Sequence, residues 1–193
     1  MAIKLKGKWE EGYALDIHTT GSSYLGVDEY GHDQFDTKRS KIGELLYKLK
    51  YKKDITVIDE IVNEIEKHIP CLNNIDLIIP IPPSDKTRTW QPVNKICNEV
   101  SKKFNIQILD NVLIKKSGAK QIKNITDLSE RKKELEKVLD LTCSDQIIGK
   151  RILLFDDLFR SGSTLNVATD LLYHKGKAAS VCVLTLTKTR SKC

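Results

Sequence analysis

The sequence predicts an α/β fold of three layers, a mostly parallel sheet between helices, preceded by a small N-terminal subdomain of hairpin and helices. Three observations carry this expectation. From residue 75 onward, short apolar runs alternate with stretches of helical periodicity. Ile75–Ile81 and Ile152–Phe155 are nearly continuous apolar runs, as in strands buried on both faces. The helical stretches meet recognisable stops and starts at Pro70, Asp127 and Gly176.

Taken in order, residues 8 to 36 hold Gly12, Gly21, Gly26 and Gly31 among Tyr, Val, Thr and Ile, which reads as short strands or a hairpin. Turns are expected at Thr20-Gly-Ser-Ser and Glu29-Tyr-Gly-His. Ser40 opens a helix whose apolar face is Ile42, Leu45, Leu46 and Leu49. The lysines 48, 50, 52 and 53 at its end read as a solvated terminus facing the negative end of the helix dipole. A second helix, from Asp54 to about His68, buries Val57, Ile58, Ile61, Val62 and Ile65. Residues 1–69 form the expected subdomain and 70–193 the core.

Within the core, the strand at Ile75–Ile81 ends in a rigid loop of Pro80, Pro82 and Pro83. A helix from about Gln91 to Phe104 tolerates Pro92 in its first turn. Ile106–Leu109 and Val112–Ile114 are short strands, and the polar, lysine-rich 115–126 is a mobile loop. Asp127 with Glu130 resembles a capping box for a helix through Val138. The strand Arg151–Phe155, the helix Ser163–Lys175 and the strand Ser180–Thr187 complete the fold. Trp90 is expected to be packing, with stacking on a base as the other reading.

Composition narrows the function. Hydrophobic residues make up 40% and charged residues 30% of the 193, which is ordinary for a globular chain. No run reaches the roughly 20 apolar residues of a membrane span, and Met1–Trp9 has no apolar signal core. A cytoplasmic protein without membrane association is expected. The five cysteines, at 71, 97, 143, 182 and 193, form no Cys-x-x-Cys pair, so neither a disulfide framework nor a zinc site is expected. Cys182 reads as plain core. The net charge of +6 suits a polyanionic small molecule, a nucleic acid or an ordinary lysine-rich surface.

The chemistry concentrates in Ile152-Leu-Leu-Phe-Asp156-Asp157-Leu-Phe-Arg160-Ser161-Gly162-Ser163-Thr164. Two acids sit at a strand end, where open α/β sheets bind ligands. The next turn leads into a helix whose first N–H groups lack intrahelical partners, which makes an anion site. Gly162 lets the backbone approach a ligand closely, and the hydroxyls add donors. Carboxylates repel a phosphate but accept from sugar hydroxyls, so a sugar phosphate suits both halves. A Walker B strand is the alternative, but it requires a Gly-x-x-x-x-Gly-Lys-Ser/Thr partner that is absent. An acidic metal cluster leaves the Ser-Gly-Ser-Thr turn unexplained.

This segment resembles the motif by which type I phosphoribosyltransferases bind 5-phosphoribosyl-1-pyrophosphate (PRPP). Together with Leu49-Lys-Tyr, Ile79-Pro-Ile-Pro-Pro, Gln121 and Leu128-Ser-Glu-Arg131, it resembles the ComF branch, often labelled amidophosphoribosyltransferase-like, over roughly residues 40–190. The resemblance implies a type I phosphoribosyltransferase core. Asp156 and Asp157 would hold the ribose hydroxyls and stabilise positive charge on the ribose. Ser161, Gly162, Ser163 and Thr164, with Arg160, would cradle the 5-phosphate. Pro83, Ser84, Lys86 and Arg88 would form the pyrophosphate loop, and Lys120, Gln121 and Arg131 would belong to the mobile loop over the site. Mg²⁺ would arrive with PRPP, with no direct protein ligand to the metal. Many ComF-like proteins begin with a Cys-x-x-Cys zinc ribbon, but residues 1–39 here contain no cysteine. The stretch Arg88-Thr-Trp-Gln-Pro also departs from the family's Arg-Gly-Phe-Asn-Gln.

The resemblance implies two candidate functions. One is phosphoribosyl transfer to a nitrogen acceptor with release of pyrophosphate. The other is a PRPP- or nucleotide-binding accessory protein in DNA uptake, with nucleic acid as a partner. Dimers are common among similar proteins, so a homodimer is one assembly the resemblance allows, and the sequence does not set the oligomeric state. No glutaminase nucleophile precedes Cys71, which argues against a full glutamine-dependent amidotransferase.

Overall fold

The computed structural model describes residues 2–83, 90–116, 127–142 and 144–190, and only the backbone of residues 128, 129, 131 and 132. The chain begins with β1 (Ile3–Lys4), β2 (Glu11–Ile17), β3 (Thr19–Val27) and β4 (Asp33–Arg39). Helix α1 (Lys41–Tyr47) continues into a π-helical turn, Lys48–Lys52, and a 3₁₀ turn, Ile55–Val57, leads into α2 (Ile58–His68). Another 3₁₀ turn, Pro70–Asn74, precedes β5 (Leu77–Pro80), α3 (Pro92–Phe104), β6 (Gln107–Ile108) and β7 (Leu113–Lys115). Then come α4 (Leu128–Val138), β8 (Leu139–Leu141), β9 (Arg151–Phe159), α5 (Ser163–His174) and β10 (Ser180–Lys188).

The expected α/β class is observed. Six strands form the central sheet in the order β1-β2-β10-β9-β5-β6, with only the β1–β2 pairing antiparallel. β1 and β2 lie in this sheet, so it draws strands from both sides of the boundary expected at residues 69 and 70. The reason is apolar content: Tyr13, Ala14 and Leu15 are buried beside β10. Among the described residues the β3–β4 hairpin pairs only with itself, leaving Tyr24, Leu25, Tyr30 and Phe35 exposed.

Alternate residues of β9 face opposite layers. Leu153 and Phe155 pack with α1, α2 and α3 through Leu46, Ile61, Ile65, Ile96 and Val100. Ile152 and Leu154 pack on the other side with Leu135 of α4 and with Leu165, Ala168 and Leu172 of α5. These are two cores separated by one sheet, the three-layer arrangement.

Local chemistry sets the helix starts. The Ser40 side chain accepts from the Gly43 N–H at 3.0 Å, Asp54 from Thr56 at 3.0 Å and Asp127 from Glu130 at 2.7 Å. The Glu29-Tyr-Gly-His turn is present, with Asp28 accepting from the N–H groups of Tyr30 and His32. Thr20-Gly-Ser-Ser is instead part of β3, where a register irregularity between Thr19 and Gly21 absorbs the glycine. Gly176 does not supply the left-handed residue after α5; Lys177 does, at φ 53°. A Cβ on Gly176 would stand 2.2 Å from the Ile147 Cδ1, so its role is close packing.

The cysteine expectation is corrected. Cys71 and Cys182 are paired as a disulfide across 111 residues of sequence. The fold brings the turn before β5 against the first residues of β10, a juxtaposition that linear spacing does not encode.

Asp76 joins the starts of β5 and β9. Its carboxylate accepts from the Arg151 backbone N–H at 2.8 Å and from the guanidinium at 3.0 and 2.7 Å. These bonds hold the carboxyl well below the usual carboxylate range. A depressed folded pKa adds stability above the unfolded value of about 3.9, and that stability is lost as pH falls through the folded pKa. The pair is partly exposed, so salt screens it. We expect Asp76→Asn to destabilise the protein at neutral pH, with the gap to wild type closing in urea melts below about pH 4. In the core, Phe155→Ala should cost about 3–5 kcal/mol by the same measurement.

Candidate functional site

The parallel sheet has a topological switch. The chain leaves β5 through α3 on one face and leaves β9 through α5 on the other. The carboxyl ends of β5 and β9 therefore diverge and open a crevice, the place where ligands bind in open α/β sheets. Pairing of β5 with β9 stops at Pro80–Phe155, while β9 continues beside β10 to Phe159. The strand is thus longer than the expected Arg151–Phe155. Its extra residues carry Asp156 and Asp157 along the open edge.

A pocket of about 730 Å³ fills this crevice. Its floor is Asp156–Thr164, one wall is Ile81–Pro83, and another is Trp90–Asn94. Lys50, Tyr51, Lys53 and Lys115 close it. Asp156, Asp157, Arg160, Ser161, Gly162, Ser163, Thr164 and Pro83 therefore share one cavity. Ser84, Lys86, Arg88, Lys120 and Gln121 lie outside the described residues, and Arg131 falls in the first turns of α4.

The helix start has the expected form. Gly162 takes φ 74° as the N-cap of α5 and offers no side chain to the helix N–H groups. The Ser161 hydroxyl approaches the Ser163 N–H only at 3.4 Å and lies 2.9 Å from the Ser163 hydroxyl. The first-turn donors of α5 thus face the pocket without a strong side-chain cap, an anion-binding arrangement. A Cβ on Gly162 would stand 2.9 Å from the Phe159 ring.

The two acids have different surroundings. Burial, and next the charge of Asp157, push the Asp156 carboxyl up to about 7. Lys115 and Lys50 pull the other way. Asp157 makes an ion pair with Lys50 at 2.6 Å. The Asp157 carbonyl accepts from the Thr187 hydroxyl at 3.2 Å, and the Thr187 oxygen lies 3.0 Å from His18 Nδ1. Burial first, then the Lys50 and Arg39 charges, lower the His18 pKa and favour neutral imidazole.

Lys50 corrects the reading of residues 48–53 as a solvated helix end. α1 does not stop but widens into a π-helical turn, and Lys53 ends that turn with a left-handed backbone at φ 55°. This turn sends Lys50 into the crevice. Trp90 lines the pocket and also serves as packing. Its indole N–H donates to the Leu49 carbonyl at 2.9 Å and its ring packs on the core, tying α3 to the π-helical turn.

No family model matches the chain. Among curated proteins the chain is similar to competence protein ComFC of Bacillus subtilis (strain 168), with 26% identity over 163 residues. The likeness is to a ComF protein. It covers 78% of this chain and 61% of that one, so the chain spans less than two thirds of its curated relative. The ComF resemblance drawn from the motifs thus has a counterpart among curated sequences. Among solved structures, an adenine phosphoribosyltransferase from Thermoanaerobacter pseudethanolicus is 12% identical, with TM-score 0.44 over 86% of this chain and 94% of the other. Glutamine PRPP amidotransferase from B. subtilis, complexed with ADP and GMP, is 16% identical, with TM-score 0.46 over 86% and 36%. Among the described residues no helix is long and apolar enough to cross a membrane.

Two substitutions test this geometry. Gly162→Ala should destabilise the protein by about 1–3 kcal/mol in thermal or urea melts, because alanine meets both the left-handed backbone and Phe159. Asp156 has a raised folded pKa, so the folded state binds its proton more tightly than the unfolded state. Its ionisation costs stability increasingly as pH rises from the unfolded value towards about 7. Asp156→Asn is therefore expected to be more stable than wild type at pH 8, with the difference vanishing near pH 4 in parallel urea titrations.

Proposed function

We propose that the chain binds PRPP with Mg²⁺ and transfers its phosphoribosyl group to a nitrogen acceptor, releasing pyrophosphate. The observation that carries this reading is the meeting, in one pocket, of the thinly capped start of α5 with two adjacent carboxylates. The 5-phosphate rests on the N–H groups and hydroxyls of Ser161–Thr164, where the helix dipole favours an anion. The ribose diol lies over Asp156 and Asp157, donating hydrogen bonds to their oxygens. The diphosphate extends towards the Ile81–Pro83 wall, with Lys50, Lys53 and Lys115 supplying positive charge.

The pocket suits Mg²⁺ carried by the substrate: its volume leaves room for a hydrated ion held on the diphosphate, and the nearby carboxylates are compatible with the water shell of a hard cation. When bound, the metal neutralises charge on the departing diphosphate. The protein's own share is positioning and electrostatics. The phosphate cradle fixes one end of the ribose and the acids fix its diol, so C1 is held for in-line attack. Negative charge on Asp157 beneath the ring favours the positive charge that develops as the C1–O bond breaks. The diphosphate leaves with the electron pair of that bond, and the acceptor nitrogen supplies the new pair.

A second reading is a PRPP- or nucleotide-binding accessory protein in DNA uptake. The name of the curated relative, a competence protein, favours it, as does the net charge of +6. DNA affinity that falls steeply with salt would support this reading, and a flat, millimolar response would remove it.

The test of the main reading is calorimetry with PRPP and Mg²⁺, with pyrophosphate release monitored over nucleobases, glutamine and ammonia. Each charged hydrogen bond contributes about 1.5–3 kcal/mol, so the double variant Asp156→Asn, Asp157→Asn should lose PRPP affinity by about 100-fold or more while remaining folded. Unchanged affinity in that variant refutes the site. PRPP binding without pyrophosphate release from any acceptor leaves binding and refutes transfer.

A further inference from the structure

At the opposite end of the sheet, three donor side chains converge that the pocket does not use. Glu11 begins β2, Cys182 is the third residue of β10, and Cys71 lies in the 3₁₀ turn before β5. Glu11 and Cys182 are direct partners in the parallel pairing of β2 and β10, so both side chains leave the same face. The two sulfurs and a carboxylate oxygen all lie within 4.8 Å of one another. Cys182 also pairs with Leu153, four residues before Asp157 and so about 13 Å down the strand from it.

We propose that these three residues form a site for one thiophilic divalent cation, with Zn²⁺ the best match, in the reduced protein. Two thiolates and a carboxylate suit zinc, which prefers sulfur and accepts oxygen, and they leave a fourth tetrahedral position for water. Reduction of the Cys71–Cys182 bond frees both sulfurs, and the backbone spacing leaves room for an ion between them. The Cα atoms of Cys71 and Cys182 stand 7.0 Å apart, beyond the usual disulfide span of about 4.4–6.8 Å. Two sulfurs each about 2.3 Å from one zinc sit nearly 4 Å apart, which the wider backbone separation accommodates. The carboxylate is already oriented, because the Tyr13 hydroxyl donates to Glu11 Oε2 at 2.9 Å. Such a hydrogen bond behind a ligand fixes it for metal binding while leaving lone pairs of the carboxylate to coordinate.

The two thiols lose their protons to solvent as one cation binds, Glu11 binds as the carboxylate, and no electron is exchanged. The site would tie the turn before β5 to β10 and β2, closing a loop of 111 residues of sequence separation. It is a structural site by its position, remote from the pocket.

The experiment uses the full chain, kept reduced with a phosphine, and titrates it with Co²⁺ and then Zn²⁺. One Co²⁺ per chain is expected, with a thiolate-to-cobalt charge-transfer band that Zn²⁺ abolishes, and the melting temperature should rise with either metal. Cys71→Ser with Cys182→Ser should remove the band. Tyr13→Phe should weaken Co²⁺ binding about 10-fold, and Glu11→Gln should weaken it further. Glu11 is exposed, so its variant tests the site even where the serine variants fail to fold. The proposal is overturned by the absence of the band from the reduced wild type, by its survival in the double serine variant, or by unchanged affinity in Glu11→Gln. Once the phosphine is removed and air is admitted as oxidant, re-formation of the Cys71–Cys182 disulfide despite saturating Zn²⁺, as read by alkylation and mass spectrometry, overturns it as well.

Discussion

Burial of Ile152–Phe155 is the constraint on which the remainder depends. These four side chains have no exposed surface and alternate between two separate cores, so β9 can shift neither sideways nor in register. A slip of one residue would send every side chain to the wrong layer. Fixing β9 also fixes the segment that continues from it: two acids at the open edge, a glycine turn and the start of α5. The site is accurate because it is the continuation of the most deeply buried strand.

The electrostatics of the pocket rest on the same burial. Two adjacent carboxylates at the floor of one crevice cannot both ionise cheaply. The fold answers in two ways. Lys50 lies 2.6 Å from the Asp157 carboxylate and offsets its charge, whereas burial pushes the Asp156 carboxyl up to about 7. This asymmetry matters for a ligand carrying phosphates. A pocket with both acids charged would repel it, but one charge matched by a lysine does not. A sugar hydroxyl reaching Asp157 must compete with the Lys50 ammonium for the same oxygens, and the released ammonium then lies beside the incoming anionic groups. The π-helical turn that places Lys50 is thus part of the charge pattern. The Trp90 indole, held by the Leu49 carbonyl, keeps that turn against α3.

The fold and the floor of the pocket were legible because their signals are local. A continuous apolar run, a Ser-Gly-Ser-Thr turn and a helical period are neighbours in sequence, and so are the caps at Ser40, Asp54 and Asp127. Four features were not legible, each for a physical reason. Lys50 lies in a run of lysines that reads as a solvated helix end, and only the widening of the helix turns it inward. Cys71 and Cys182 stand 111 residues apart, and nothing in their spacing pairs them. Gly21 resembles a turn residue, but a strand irregularity accommodates it as well as a turn would. The division of labour between Asp156 and Asp157 was also hidden, since it depends on burial and on Lys50.

The two edges of the sheet obey opposite rules, and this explains why the crevice can stay open. At the amino edge the strands are clasped across the sheet: Asp76 binds Arg151 with three hydrogen bonds, and Cys71 meets Cys182 beside Glu11. At the carboxyl edge β5 stops four residues before β9 does, and prolines 82 and 83 come next, unable to donate to a neighbouring strand. Continued pairing there would fill the crevice with backbone and cover the acids. Cross-links at one edge hold the strand spacing that the missing pairs at the other no longer supply. A binding cleft between parallel strands needs this imbalance, because the same ladder that stabilises the sheet would otherwise close the site.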